Sequence, residues 1–469
     1  MLFPTVDYLL FLPLTVLLYW LVPARARLVV LGLASVAFYA SWKLAYLPVL
    51  AGVVAVAWGA ALLLAAKEKG GSKWLLRGAV ASLLAPLVVF KYWDWLAGDA
   101  EALLASMGWS VELPSVGMAL PIGISFFTFQ ALAYVVDVGR GTIPADRNVG
   151  RFFTFIGFFP QLVAGPIVRG NELLPQLASL PNLATGQVGA GLFRIGRGLL
   201  KKLLFADILR VGIVDPLFAD PSKFTGPELL VGLYAYTLQI YYDFSGYTDM
   251  AIGSARLFGI ELPENFNRPY RSITVTDFWR RWHATLGLWV RHYIYFPLGG
   301  ARGGMVYANL MITFLVIGVW HGASWNFVLY GALHGGAMCI QRYFRKHHGR
   351  DPAVAPPGWW AWFWRWALTF HFVVIARILF RAPDFATSAA YTGGLGRFDL
   401  LMPRFSGLSY AILVLGFVIH FTPDRWQSRL EAWAKEANPV KLALVLLAVG
   451  AACALLGTGE QLAFVYYQF

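Results

Sequence analysis

Apolar residues in this chain fall in long uninterrupted runs, not in the short alternations of a half-buried strand or an amphipathic surface helix. Eleven runs stand out, at residues 8–22, 28–46, 49–66, 74–96, 118–138, 229–242, 310–320, 327–340, 359–380, 408–421 and 442–456. A helix needs about 20 apolar residues to cross a bilayer, and several of these runs approach or exceed that length. Between residues 151 and 300 the pattern changes. Apolar, aromatic and basic residues mix with Pro and Gly in FFPQLVAGPIVRG (158–170), FRIGRGLLKKLLFADILR (193–210) and the stretch 265–300. Irregular or charged backbone at membrane depth persists only where protein or water satisfies it, so the functional centre is expected here. The prediction is an all-α polytopic membrane protein with roughly eleven to seventeen transmembrane or re-entrant helices. One membrane domain is expected over 1–469, with N-terminal spans in 1–140, a catalytic core in 151–340 and C-terminal spans in 355–469.

Composition agrees. Hydrophobic residues make up 58% and charged residues 13% of the chain, against about 25% charged in a soluble domain. The 19 Trp and 21 Tyr suit aromatic belts at both interfaces. The net charge of +13 is read as topology, with no nucleic-acid partner. Arg25 and Arg27 follow the first run, Lys67, Lys69, Lys73 and Arg77 the third, and Arg140, Arg147 and Arg151 the fifth. The loop after the fourth run is acidic, with Asp94, Asp99, Glu101 and Glu112. That alternation places the N-terminus outside the cytoplasm. The first run lacks a basic leader and a small-residue cleavage site, so it reads as a retained first helix. Cys339 and Cys453 lie in apolar runs and suggest neither a disulfide framework nor a metal site.

The segment 193–210 is amphipathic, with Arg194, Arg197, Lys201 and Lys202 near one face. It reads as an interfacial helix snorkelling its charges, or as a docking surface for an acidic acyl donor. Asp243 and Asp249, in YYDFSGYTDM, are expected to be paired, since a free charge in lipid is costly. They serve as helix-pairing partners for nearby arginines, or line a tunnel.

Of eight histidines, three are weighed as functional. His321 lies inside an apolar run, flanked by Gly318, Gly322 and Ala323. An ionisable residue within a span is a functional-site hypothesis by default, and a neutral imidazole can take a proton. His283, in DFWRRWHATLGLWVRHYIY, falls beside Trp279 and Leu286 if that stretch is one helix, turned towards the buried side. For both residues the structural reading is helix pairing. His334 follows His321 by thirteen residues, which on an unbroken helix would set them about 19 Å apart. His347 and His348 read as solvated, His420 as a cap and His371 as a helix-pairing residue. HExxH, CxxC, GxSxG and P-loop motifs are absent from the sequence.

Several blocks resemble the membrane-bound O-acyltransferases, in particular the bacterial branch of alginate and cellulose O-acetylation proteins and the teichoic-acid D-alanyl transfer protein. They are FPTVDYLLFLPLTVLLYWLVP, FIGFFPQLVAGPIVR, the stretch 241–300 with its RRWH, VWHGASWNFVLYGALHG and the ending FVYYQF. The resemblance implies a ring-like helical fold with a central tunnel, a bacterial inner-membrane location and His321 as principal catalytic residue with His283 beside it. Trp320, Asn326, Trp282, Arg280, Asp243, Asp249 and His334 are then candidates to bind substrate or line the tunnel. It further implies no permanent cofactor, a cytoplasmic thioester donor (acetyl-CoA or an acyl carrier protein), a polysaccharide acceptor and a separate periplasmic acetyltransferase partner. The family commonly has an acidic residue where this chain has His292, which leaves a pairing role there in doubt. Set against an acyltransferase are a transporter or flippase of an acyl or glycan intermediate, and a scaffold subunit of a secretion complex.

Overall fold

The computed structural model describes residues 3–66, 73–348, 358–398, 404–456 and 464. Lys67 and Lys69, and FVYYQF apart from Phe464, lie outside the described residues. Every regular element among the described residues is a helix. All eleven apolar runs fall on helical segments, with boundaries set by the local sequence. The run 118–138 becomes helical only at Ile124, after Pro121 and a left-handed Gly123 (φ 75°). The run 229–242 is part of a 31-residue helix, Gly226–Arg256. It outlasts the apolar stretch because Asp243 and Asp249, which interrupt the pattern, are neutralised by lysine and arginine.

Among the described residues, three helical segments are long and apolar enough to cross a membrane, Leu44–Ala65, Lys73–Ser106 and Trp359–Arg381. A fourth candidate is the pair Gly407–Phe421 and Asp424–Glu436, bent by 88°. Others, such as Val6–Leu21, Ile124–Gly139 and Val306–His321, are apolar but shorter. Leu10, Leu14 and Leu17 of the first helix face outward and exposed, as expected of a surface that meets lipid.

The described chain divides into two compact units. The first comprises Met1–Ala184 with Ser254–Pro263. Its core is aromatic, with Tyr8, Phe11, Phe38 and Phe159 in mutual ring contact. Within FFPQLVAGPIVRG the chain is buried yet largely non-helical. Its polar backbone is met by protein. Phe159 N–H donates to Ser35 Oγ (3.2 Å), and Gln161 and Gln130 side chains donate to the Phe155 and Val168 carbonyls (2.9 and 3.4 Å). That is the condition under which irregular backbone survives at membrane depth.

The second unit comprises Thr185–Gly253 and Glu264–Phe469. Here helix Gln187–Leu200 packs on Gly226–Arg256 at Gly198 and Gly246, where a β-carbon on either glycine would collide with the opposite backbone. Two antiparallel helices, Val306–His321 and Trp325–His348, form a hairpin that is equally close. A β-carbon at Gly318 or Gly331 would strike the facing carbonyl of Phe327 or Phe314.

Candidate active site

Two breaks in helical structure position the two leading histidines. At the first, helix Val275–Arg281 ends and Ala284–Val290 begins, with His283 between them in the left-handed region (φ 47°). The stretch is therefore not the single helix its periodicity suggested, and azimuths do not carry across residue 283. A non-glycine residue in that region costs of order 1–3 kcal/mol and needs support from its surroundings. Asn265 supplies it, being fully buried. Its carbonyl accepts from Ala284 N–H (2.9 Å) and its Oδ1 from Thr285 N–H (3.2 Å) and Thr285 Oγ1–H (3.0 Å). Asn267 N–H donates to the Arg281 carbonyl (2.9 Å) from the same segment.

The second break follows His321, the last residue of its helix. Gly322 is extended, and the next helix starts at Trp325, with Ser324 accepting from Phe327 N–H (3.1 Å). A β-carbon at Gly322 would run into the Phe327 ring, so the glycine lets this turn close. The break also corrects the spacing expected for an unbroken helix. The chain doubles back, and Tyr330 contacts both His321 (6.1 Å between ring centroids) and His334 (4.5 Å).

Trp320 lies between the two leading histidines, 5.6 Å from the His283 ring and 5.1 Å from that of His321. His283 is fully buried and His321 is 2% exposed. Phe244 closes on His283 at 4.8 Å and Phe380 on His321 at 4.9 Å. The result is a shared, largely aromatic surround with two imidazoles in it. Buried Asn326 donates to the Ala382 carbonyl (3.2 Å), tying the start of its helix to the end of Trp359–Arg381. His334 accepts from the Trp279 indole N–H (3.2 Å) and is packed by Tyr330 and Phe372. That geometry gives it a helix-pairing role.

Arg377, which the sequence reading passed over, is fully buried in the same surround. Its guanidinium sits 4.3 Å from the Trp282 ring and 5.5 Å from Phe380. The signal was available, since an arginine deep inside the apolar run 359–380, twelve residues past Arg365, meets the same criterion that picked out His321.

Other candidates fall elsewhere. Asp249 is held by Arg194 (2.8 Å), Arg197 (2.8 Å) and Lys201 (2.7 Å), and Asp243 by Lys202 (2.9 Å), which in turn pairs with Asp207 (2.8 Å). These ion pairs join two helices, one of them carrying the amphipathic segment, so its basic face is turned at least partly inward. Arg280 is exposed and belongs to a separate cavity of about 460 Å³. Arg291, Arg342 and Arg345 also line that cavity, with Trp279, Phe314 and Ile317 among its apolar walls and no carboxylate in its lining. His371 takes part in helix pairing, between the Tyr234 hydroxyl and the Ala367 carbonyl (both 2.8 Å). His420, expected as a cap, accepts from Tyr270 N–H (3.3 Å) and so ties its helix to the turn Pro269–Arg271. His292 Nδ1 is 2.8 Å from the Leu288 carbonyl.

Long apolar helices, with buried histidines at two helix breaks on either side of Trp320, fit a polytopic membrane protein. Residues 146–381 match the membrane-bound O-acyltransferase family. The chain is 38% identical over 423 residues to a "Probable alginate O-acetylase" of Azotobacter vinelandii, covering 87% of this chain and 82% of that one. It is 35% identical to a protein of the same description from Pseudomonas putida, over 98% of both chains. A peptidoglycan O-acetyltransferase of Helicobacter pylori is 34% identical, covering 82% of this chain and 77% of its own. The chain belongs to the membrane-bound O-acyltransferase family. It is an O-acyltransferase, which sets aside the transporter and scaffold readings.

Proposed function

We propose that the protein moves an acetyl group from a cytoplasmic thioester to a hydroxyl of an extracytoplasmic polysaccharide, directly or through a periplasmic partner transferase. The observation that carries this reading is the pair of buried histidines flanking Trp320 at two helix breaks. In the reaction a hydroxyl oxygen attacks the thioester carbonyl, the carbon–sulfur bond breaks, and the hydroxyl proton ends on the departing thiol. His321 is the base that takes that proton and passes it on. His283 orients the acyl carbonyl and donates a hydrogen bond to the oxygen as charge develops there. Direct transfer is preferred to a covalent acyl-histidine, because holding donor and acceptor together already supplies much of the rate. The inner membrane of a bacterium is the location this chemistry requires, with the N-terminus outside by the charge alternation.

His283→Ala should lower turnover about 10²–10³-fold, the usual cost of one donor to a developing oxyanion. His283→Asn should lose less, since asparagine tolerates the left-handed conformation and keeps a donor. Rates of thioester consumption for the two variants check this. Equal losses would remove the donor role.

The arginine-lined cavity supports a phosphate-bearing donor. Arg280, Arg291, Arg342 and Arg345 face a cavity without a carboxylate, and guanidinium groups bind phosphates in bidentate fashion. Basic residues also cluster on cytoplasmic loops. The double variant Arg291→Gln/Arg342→Gln should raise KM for acetyl-CoA roughly tenfold or more, taking about 1 kcal/mol per exposed contact. Its kcat should stay near wild type. Turnover measured across acetyl-CoA concentrations at low and high salt reads this directly. An unchanged KM would favour a carrier-protein donor or another entrance.

The central test follows acetyl-CoA consumption by wild type and His321→Ala, with and without the candidate periplasmic partner. The destination of a labelled acetyl group names the acceptor.

A further inference from the structure

A second, larger groove lies on the outward side of the helices that carry His334 and Arg377. It measures about 830 Å³, and its lining includes Leu329, Leu333, Ile340, Phe344, Leu368 and Phe372. Several of these side chains are exposed, Ile340 at 60% and Leu368 at 71%. Arg345 and Arg365 are its cationic side chains, and no carboxylate lines it. Among the described residues, neither arginine is within ion-pair distance of a carboxylate.

Register places both arginines at one end. The contacts Tyr330–Phe380 and His334–Phe372 run in opposite directions along Trp325–His348 and Trp359–Arg381, so these helices are antiparallel. Extending that register past His334 brings Arg345 towards the first turns of the next helix, where Arg365 stands. Trp359, Trp360, Trp362 and Trp364 directly precede Arg365 in sequence and are 40–73% exposed. Exposed tryptophans of this kind sit at the head-group level of a bilayer. The apolar floor then descends from that level, because Leu329 is sixteen residues, about 24 Å, from Arg345 along the helix. One leaflet is about 15 Å of hydrocarbon. The basic cluster at this end, Arg342, Arg345 and Lys346 with Arg365, marks it as cytoplasmic.

We infer that this groove is a binding site for one anionic phospholipid of the cytoplasmic leaflet, its phosphate between Arg345 and Arg365 and an acyl chain along Leu333, Ile340 and Leu368. Charge selects the occupant. A free phosphate has no use for an apolar groove of this length, and a zwitterionic lipid leaves two cations uncompensated. Basic pockets between membrane helices on this side bind acidic head groups in general. Arg345 lines both this groove and the donor cavity, so the readout is lipid retention in the absence of acetyl-CoA, which does not depend on the acyl-transfer chemistry.

The test is native mass spectrometry of the intact protein, equilibrated in neutral detergent with equal amounts of phosphatidylglycerol and phosphatidylcholine of identical chains. Wild type is expected to retain one phosphatidylglycerol with roughly tenfold or greater preference, as two surface arginines near a head group imply. Arg345→Gln/Arg365→Gln should bring the two lipids to near parity. Gly336→Leu offers an independent variant with both charges intact. Gly336 lines the groove, and a β-carbon there meets nothing within 4 Å, so the leucine side chain starts into open groove space. A folded Gly336→Leu protein should retain neither lipid. Equal retention of both lipids by wild type would overturn the proposal. So would undiminished phosphatidylglycerol on folded Gly336→Leu, whatever the double variant does.

Discussion

His321→Ala is expected to lower acyl transfer by about 10²–10⁴-fold, the range that a positioned general base contributes. The donor should still bind with near-wild-type affinity. The arginine cavity is lined by residues other than His321, so removal of the imidazole leaves those contacts in place. Folding should survive, although the imidazole packs against Trp320 and Phe380 and its loss leaves a void. His321→Gln fills more of that space and still lacks a comparable base. If the loss is chemical, both variants fall together in kcat. If it is packing, glutamine recovers activity. Donor binding by calorimetry and turnover on the same preparations separate the two.

The largest expected effect on stability lies away from the histidines. Asp249→Ala should destabilise the protein by about 3–5 kcal/mol, because it leaves buried cations without their counter-charge. Arg194 is only 5% exposed in its side chain, and it shares Asp249 with Arg197 and Lys201. Glu264 partly compensates by taking a second contact from Arg194 (2.5 Å), so Arg197 and Lys201 bear most of the loss. Asp424 offers the contrast. It pairs with Arg268 and Arg271 at 3.1 and 2.8 Å, but its side chain is 72% exposed. Asp424→Ala should therefore cost no more than about 1 kcal/mol. Thermal unfolding of the two variants in one detergent makes the comparison. Similar losses for both would mean that the Asp249 network is hydrated and weak.

Much of this organisation was legible in the sequence, for physical reasons that differ between elements. Long apolar runs identified helices because the hydrocarbon core admits few other solutions. His321 was legible because an imidazole inside an apolar run needs a reason to be there. Arg377 was equally legible, because a guanidinium deep in an apolar run needs the same kind of reason. The cost of burying charge predicted pairing of Asp243 and Asp249 with arginines; arginines do hold Asp249, but a lysine, Lys202, holds Asp243. The choice of Lys202 for Asp243 depended on how Gln187–Leu200 packs, which spacing along one helix does not specify.

The breaks were harder. Periodicity assumes a continuous helix, and the stretch around RRWH keeps enough of it to conceal a left-handed residue at His283. Its support comes from Asn265, eighteen residues earlier, through backbone and side-chain hydrogen bonds. No local propensity encodes that contact. At Gly322 the cue was present as a glycine next to His321, and the structure shows what it permits, a hairpin turn around the Phe327 ring. Tyr330 could touch both His321 and His334 only after that turn.

The central claim is that His321 drives acetyl transfer from a thioester to a hydroxyl on the other side of the membrane. Purified protein would be oriented in vesicles with its cytoplasmic side outward, with a polysaccharide acceptor and the partner transferase enclosed. Acetyl-labelled CoA would be added outside, and free thiol and enclosed alkali-labile ester followed together. Wild type is expected to release one thiol outside for each ester formed inside, with both falling at least about 10²-fold in His321→Ala and His321→Gln. Equal ester formation by wild type and His321→Ala would contradict that claim.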